Sequence, residues 1–122
     1  MTDSLVMVTV DDVRQVALSL PRTTEHLIHD RVKFRVKQLV YVAFSRDETL
    51  MGFAFPREER VALVESEPDK FLLPSAADMR FNWVQVRTAV LDTDEMRDLV
   101  SDAWTMVVPK GVARDHFDSL SS

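Results

Sequence analysis

The sequence predicts an α+β fold in two layers, with an antiparallel β-sheet and helices packed on one of its faces. Segment 31–37 alternates apolar and basic residues strictly, which is the period-2 pattern of a half-buried strand. Segments 10–20 and 93–107 instead place apolar residues at helical spacing. The strand-like segments between residues 24 and 55 are joined by short connections, which favour antiparallel neighbours.

Length and composition are those of one ordinary globular domain. The chain has 122 residues, of which 46% are hydrophobic and 29% charged, and a chain of this size buries about two thirds of its unfolded surface. We therefore expect residues 1–122 to form a single domain, with a core at about 9–110 and tails at 1–8 and 111–122.

Several classes of protein are not supported by the sequence. It has no cysteine, which excludes thiolate nucleophiles, disulfides and Cys-ligated metal centres and fits a cytoplasmic protein. No apolar run is long enough to cross a bilayer, and residues 1–4 lack the basic and apolar regions of a secretion signal. We expect a cytoplasmic protein without a membrane partner.

The first element is predicted to be a helix over residues 10–20. Thr9 is a good N-cap, and Asp11 and Asp12 lie in the first turn, where negative charge interacts favourably with the helix dipole. Pro21 ends this helix.

Three strands are predicted between residues 24 and 55. The alternating segment is followed by the apolar runs 39–44 and 50–55, and residues 46–49 form the turn between these two runs. A short helix then begins at Pro56 and ends before Pro68, since proline is tolerated in a first helical turn.

The second half of the chain contains one further clear strand and one clear helix. Residues 71–73 are either a short strand or a packed loop, residues 75–80 read as a loop, and residues 83–87 alternate as a strand. Either face of this strand could point to the core: the one with Val84 and Val86, or the one with Trp83. The last helix is predicted to begin at an N-cap Thr93, and residues 111–122 to form a polar tail with at most one helical turn.

These landmarks resemble the MmcQ/YjbR-like proteins over about residues 9–110. The resemblance lies in the segments 29–37 (HDRVKFRVK), 51–53 (MGF), 82–84 (NWV) and 103–110 (AWTMVVPK) and in their order. It implies a small domain likened to the bacterial frataxin fold and a DNA-binding label, without agreed catalytic residues. Where members often carry a glycine, the turn at 36–38 has none.

The main functional hypothesis is a non-enzymatic protein that binds DNA or another polyanion through a basic strand. The formal net charge of the chain is −5, so a local cluster of cations has the opposite sign to the molecule as a whole. Phosphate contacts need such a cluster, and Tyr41 or Trp83 could stack on a base. The alternative is that these cations keep an exposed sheet soluble. The candidate anion-binding residues are Arg31, Lys33, Arg35, Lys37, Arg46 and Arg87.

Two other binding functions are open. Aromatic and methionine side chains at Tyr41, Met51, Phe53 and Phe55 could form a surface for a protein partner or a homodimer. A frataxin-like protein could also bind a divalent cation through acidic residues one turn apart on the last helix. The alternative is that these acids form the solvent-exposed face of an amphipathic helix. They are Asp94, Glu95, Asp98 and Asp102.

No enzyme class is indicated, and we expect neither a cofactor nor catalytic residues. The only histidines are His26, His29 and His116, and their spacing is not that of a zinc-protease helix. With Gly52 and Gly111 as the only glycines, the usual Gly-rich phosphate loops cannot form.

Overall fold

A computed structural model describes residues 8–121 and contains one six-stranded sheet and four α-helices. Every strand pairing is antiparallel, and the strands lie in the order β1-β2-β3-β4-β6-β5. Within the described residues, no helix combines the length and apolarity needed to span a bilayer. The predicted tail at 1–8 lies outside the described residues except for Val8. The helices and strands are α1 (Val10–Ser19), β1 (Thr23–Ile28), β2 (Arg31–Val36), β3 (Leu39–Phe44), β4 (Leu50–Ala54), α2 (Arg57–Ser66), β5 (Phe71–Leu72), β6 (Trp83–Arg87), α3 (Thr93–Thr105) and α4 (Lys110–Ser121).

The first helix begins as predicted. The Thr9 hydroxyl accepts a hydrogen bond from the Asp12 amide, and the Asp12 carboxylate accepts one from the Thr9 amide, which together form a capping box. The last predicted helix begins one residue earlier than expected, because the cap is Asp92 rather than Thr93. The Asp92 carboxylate accepts a hydrogen bond from the Glu95 amide at 2.8 Å, and Thr93 is the first helical residue.

The sheet has one strand more than the sequence predicts before α2. β1 was missed because it is a polar edge strand with few buried side chains. It joins β2 through His29 and Asp30, which have φ values of 54° and 63°, a left-handed pair typical of a two-residue hairpin turn. Lys37, in the next turn, also has a positive φ of 55° without being glycine.

One face of the sheet carries the core. Val84 and Val86 point into it, which settles the orientation of β6, and a register shift in the β2–β3 pair places both Tyr41 and Val42 there, fully buried. Helices α1, α2 and α3 pack on this side. The opposite side, called the open face here, is not covered by a helix in the described part of the chain.

The predicted polar tail is wrong, since residues 110–121 form α4. Val112 and Ala113 pack against the core, and the rings of His116 and Phe117 lie 5.2 Å and 6.1 Å from the ring of Trp104. α4 therefore lies against the helical layer and leaves the open face uncovered.

Candidate functional site

The strand register defines which side chains share the open face. β1 and β2 contribute residues opposite one another, such as His26 and Lys33, and β4 and β6 contribute Gly52 opposite Gln85. These positions hold four cations and no aspartate or glutamate, although the whole chain carries a net charge of −5. The open-face positions are Thr24, His26, Ile28, Arg31, Lys33, Arg35, Val40, Ala43, Ser45, Leu50, Gly52, Ala54, Leu72, Trp83, Gln85 and Arg87.

Arg31, Lys33 and Arg35 form a row along β2, called the basic row here. All three are half-buried, because their stems lie on the sheet. The Arg31 Nε donates to the Phe44 carbonyl at 3.1 Å, which holds the guanidinium on the sheet, and its terminal nitrogens have no hydrogen-bond partner among residues 8–121. Among residues 8–121, no carboxylate forms an ion pair with any member of the row.

Arg35 is tied to a histidine that the sequence did not single out for this site. An Arg35 terminal nitrogen lies 3.3 Å from the His26 Nδ1, and because a guanidinium can only donate, this histidine nitrogen is the acceptor. The other ring nitrogen of His26 lies 3.0 Å from the Thr24 hydroxyl. The Arg35 Nε is buried and has no hydrogen-bond partner in the described chain.

Arg46 lies beside one end of the basic row. Its Nε donates to the His29 carbonyl at 3.1 Å, which connects the β3–β4 turn to the β1–β2 turn. A shallow depression of about 490 Å³ lies here, lined by Arg31, Lys33 and Arg46 together with Asp47. Hydrogen bonds from Thr49 and Ser45 hold the pKa of Asp47 below its usual value, so this carboxylate stays ionised beside the cations.

The two remaining predicted residues lie farther from the row. Lys37 is exposed in the turn that follows β2. Arg87 is exposed at the end of β6, three strand spacings from β2, which is about 14 Å. The structure thus brings Arg31, Lys33, Arg35 and Arg46 together and places Lys37 and Arg87 at the margins.

A groove of about 610 Å³ crosses the open face beside the basic row and is called the indole groove here. Arg31 and Lys33 form one side of it, and Trp83 forms part of the other. The edge of the indole lies against Gly52: a Cβ added there would be 2.5 Å from Nε1 and 2.7 Å from Cζ2. The other lining residues are Gln38, Leu39, Val40, Ala43, Ala54, Asp78, Phe81, Asn82, Met106 and Val107.

A buried arginine positions the loop that leads into Trp83. Arg60 on α2 is only 6% exposed, and its guanidinium donates to the carbonyls of Met79, Phe81 and Trp83. This residue has no carboxylate partner in the described chain, so its role is to hold the loop backbone.

The acidic residues of α3 do not converge on a cation site. Glu95 pairs with Lys70, and Asp94 lies 3.9 Å from Arg97. Partial burial raises the pKa of Asp102, and the neighbouring Asp98 carboxylate adds to the effect. Among residues 8–121, no three metal-ligating side chains lie together.

The side chains considered for a protein-binding surface are in the core. Tyr41, Met51 and Phe53 are at most 1% exposed, and Phe55 is half-buried. Tyr41, Met51 and Phe53 therefore cannot contribute to an apolar binding surface, and only part of Phe55 remains accessible. The stacking role considered for Tyr41 is excluded for the same reason, which leaves Trp83.

Known proteins share this fold. The YjbR family model matches residues 18–106. The crystal structure of the Deinococcus radiodurans protein DR2400, with a domain of the family DUF419, has a TM-score of 0.72 at 22% identity and covers 86% of this chain and 82% of that one. No curated protein matches the chain. Because the family model spans most of the residues that build the sheet and α3, the chain belongs to the YjbR family.

Proposed function

We propose that this protein binds polyanions, with nucleic acid as the leading ligand, through the open face of its sheet, and that it acts by binding rather than by catalysis. The observation that carries this proposal is the charge of that face. Its strand positions hold four cations and no carboxylate, and Asp47 and Asp78 are the acidic residues lining its depression and groove, in a molecule whose net charge is −5.

Arg31 and Lys33 of the basic row border the depression and the groove, where a ligand can reach them, whereas Arg35 already donates to His26 and has a buried Nε. No member of the row is neutralised by a carboxylate among residues 8–121, and the terminal nitrogens of Arg31 remain free to donate. Arginine and lysine donors of this kind form charge-assisted hydrogen bonds with phosphate oxygens. The row therefore supports contact with several phosphates of one chain.

The negative net charge limits this binding to short range. At physiological ionic strength the Debye length is about 8 Å, so a bound phosphate interacts mainly with the cations beside it. Remote carboxylates are then largely screened. At lower salt they repel an approaching polyanion, which favours a modest affinity without base-sequence preference.

The test is fluorescence anisotropy with labelled single-stranded and double-stranded oligonucleotides at about 20 mM and about 150 mM salt. We compare the wild type with the triple variant Arg31→Gln, Lys33→Gln and Arg35→Gln. For a single strand, each phosphate contact removed lowers the slope of log affinity against log salt by about 0.7, so a loss of about 2 is expected.

A matched control removes the same charge from the helical side of the molecule. Arg97→Gln, Lys110→Gln and Arg114→Gln are exposed positions on α3 and α4 and change the net charge by the same amount. We expect this control to keep the wild-type salt slope. Absence of binding at low salt, or an equal loss in both triple variants, contradicts the proposal.

A further inference from the structure

We infer that the nucleic acid bound here is single-stranded, with unpaired bases entering the indole groove and stacking on Trp83 while the phosphates meet the basic row. This inference rests on the proposed function and names its ligand class. It depends on three features of the open face: the position of the indole, the shape of the groove beside it, and the aromatic neighbour of Trp83.

Trp83 extends over the sheet because its neighbour has no side chain. Gly52 lies on β4, adjacent to β6, and the space that a Cβ would occupy there is taken by the indole edge carrying Nε1. The ring is half-buried, and the remainder of it borders the groove. A large aromatic ring on a surface of small residues is the arrangement that base stacking requires.

Small apolar side chains line the middle of the groove. Ala43 and Ala54 lie on its floor, between the long cationic side chains of β2 and the indole over β4. Two strand spacings separate β2 from β4, which is about 10 Å. A planar base can enter this space with its phosphate beside Lys33, whereas bases paired inside a duplex cannot reach the floor.

A second aromatic ring continues the surface. Phe81 lines the same groove and is 50% exposed, and the guanidinium of Arg80 lies 4.8 Å from its ring centroid. Arg60 fixes the loop that carries Phe81 and Trp83 through the carbonyls of both residues. The two rings and adjacent cations thus combine stacking with charge, the pairing used by proteins that bind single strands.

The first experiment uses the unmodified protein and needs no variant. Trp83 and Trp104 are the two tryptophans, and Trp104 is fully buried with its Nε1 bonded to the Pro21 carbonyl. Stacking on Trp83 is therefore expected to quench the accessible part of the indole emission. We titrate with oligothymidine and with an abasic strand of equal length, and expect quenching and at least about fivefold tighter binding for oligothymidine alone.

The second experiment removes the ring. Trp83→Leu is expected to weaken oligothymidine binding at least about fivefold and to leave the affinity for heparin, a polyanion without bases, unchanged within about twofold. Circular dichroism checks that the variant is folded. If it is not, the comparison of oligothymidine with the abasic strand in the wild type still decides the matter.

The outcomes separate this inference from the proposed function. Equal, salt-sensitive binding of oligothymidine and the abasic strand without quenching overturns the stacking of bases and leaves polyanion binding in place. Tighter binding of a duplex than of a single strand also overturns it. If the wild type binds none of oligothymidine, duplex and heparin at low salt, both proposals fall.

Discussion

Tyr41 shows how one core side chain makes the stability of this protein depend on pH. Its ring is fully buried, and its hydroxyl lies 2.7 Å from that of Thr23. Burial raises the pKa of Tyr41 from 10.0 to about 12, and the hydrogen bond with Thr23 partly offsets this. The folded state therefore holds the phenolic proton more tightly than the unfolded state does.

The sign of the effect follows from linkage. Because the folded pKa is the higher one, the stabilising contribution is complete below pH 10 and is lost as the pH rises to about 12. A shift of this size corresponds to at most about 3 kcal/mol. Tyr41→Phe should lower the free energy of unfolding by about 1 kcal/mol at neutral pH, because the hydrogen bond is lost. It should also abolish the loss of stability that ionisation of Tyr41 causes at alkaline pH.

Denaturant unfolding across this pH range, on wild type and Tyr41→Phe, measures the difference. Tyr41 is the only tyrosine, so the absorbance of tyrosinate reports on it alone. Appearance of tyrosinate near pH 10 in a protein that is still folded would show that the hydroxyl is not protected.

At the residue level, the sequence predicted which face of a strand a side chain occupies where the pattern was strict, and not where both faces carry apolar residues. The alternation in 31–37 correctly placed the basic row on one face of a strand. Trp83 stayed ambiguous because both it and Val84 are good core residues. An isolated glycine in a strand signals close approach of another group, so Gly52 carried the information that could have placed the indole on the open face.

At the element level, the two glycines allow a test of the packing on β4. Gly52→Ala introduces a Cβ that would lie 2.5 Å from the Trp83 Nε1. Overpacking of this kind costs about 1–3 kcal/mol, which exceeds the gain of about 0.5–1 kcal/mol from removing a glycine from a strand. We expect a net loss of about 1 kcal/mol and displacement of the indole, seen as a change in tryptophan emission.

Gly111→Ala is the matched control on α4. No atom lies within 4 Å of its added Cβ, so only the higher helix propensity of alanine remains. We expect this variant to gain up to about 1 kcal/mol without a change in tryptophan emission. Denaturant unfolding of both variants gives the free energies, and a stabilised Gly52→Ala protein with native emission would contradict the packing described here.

The elements that the sequence missed share a physical cause. β1 has little apolar alternation because it is an edge strand, and its turn uses left-handed His29 and Asp30 instead of the glycine that marks most such hairpins. α4 is largely polar, and it is held by packing on Trp104 more than by local propensity. Elements stabilised by long-range contacts leave weak local signals.

At the scale of the whole molecule, the candidate site depends on a pairing that sequence order does not reveal. β6 pairs with β4 although α2 and β5 separate them in the chain. This pairing brings Trp83 over Gly52 and moves Arg87 away from the basic row. The fold class followed from local periodicity and the family from a few ordered segments, whereas the site required the complete sheet.

The opposing signs of the global and local charge lead to a kinetic prediction that presumes polyanion binding. Asp98 and Asp102 lie on α3, which packs on the core side of the sheet, and neither lines the indole groove or the depression beside Arg46. The double variant Asp98→Asn and Asp102→Asn changes the net charge from −5 to −3. The Debye length is about 30 Å at 0.01 M salt, so these carboxylates still repel an approaching polyanion there.

We therefore expect the double variant to associate with oligothymidine roughly two- to fivefold faster at 0.01 M salt and at the wild-type rate near 0.15 M, where remote charge is screened. The dissociation rate should not change, because neither carboxylate contacts the site. Stopped-flow anisotropy measures both rates.

A second double variant, Asp11→Asn and Asp94→Asn, serves as the control for total charge, because both residues are exposed and lie on α1 and α3. We expect it to change the association rate as the Asp98 and Asp102 variant does. A slower dissociation in the Asp98 and Asp102 variant alone would place those residues at the bound ligand, and the binding surface would then include the helical layer.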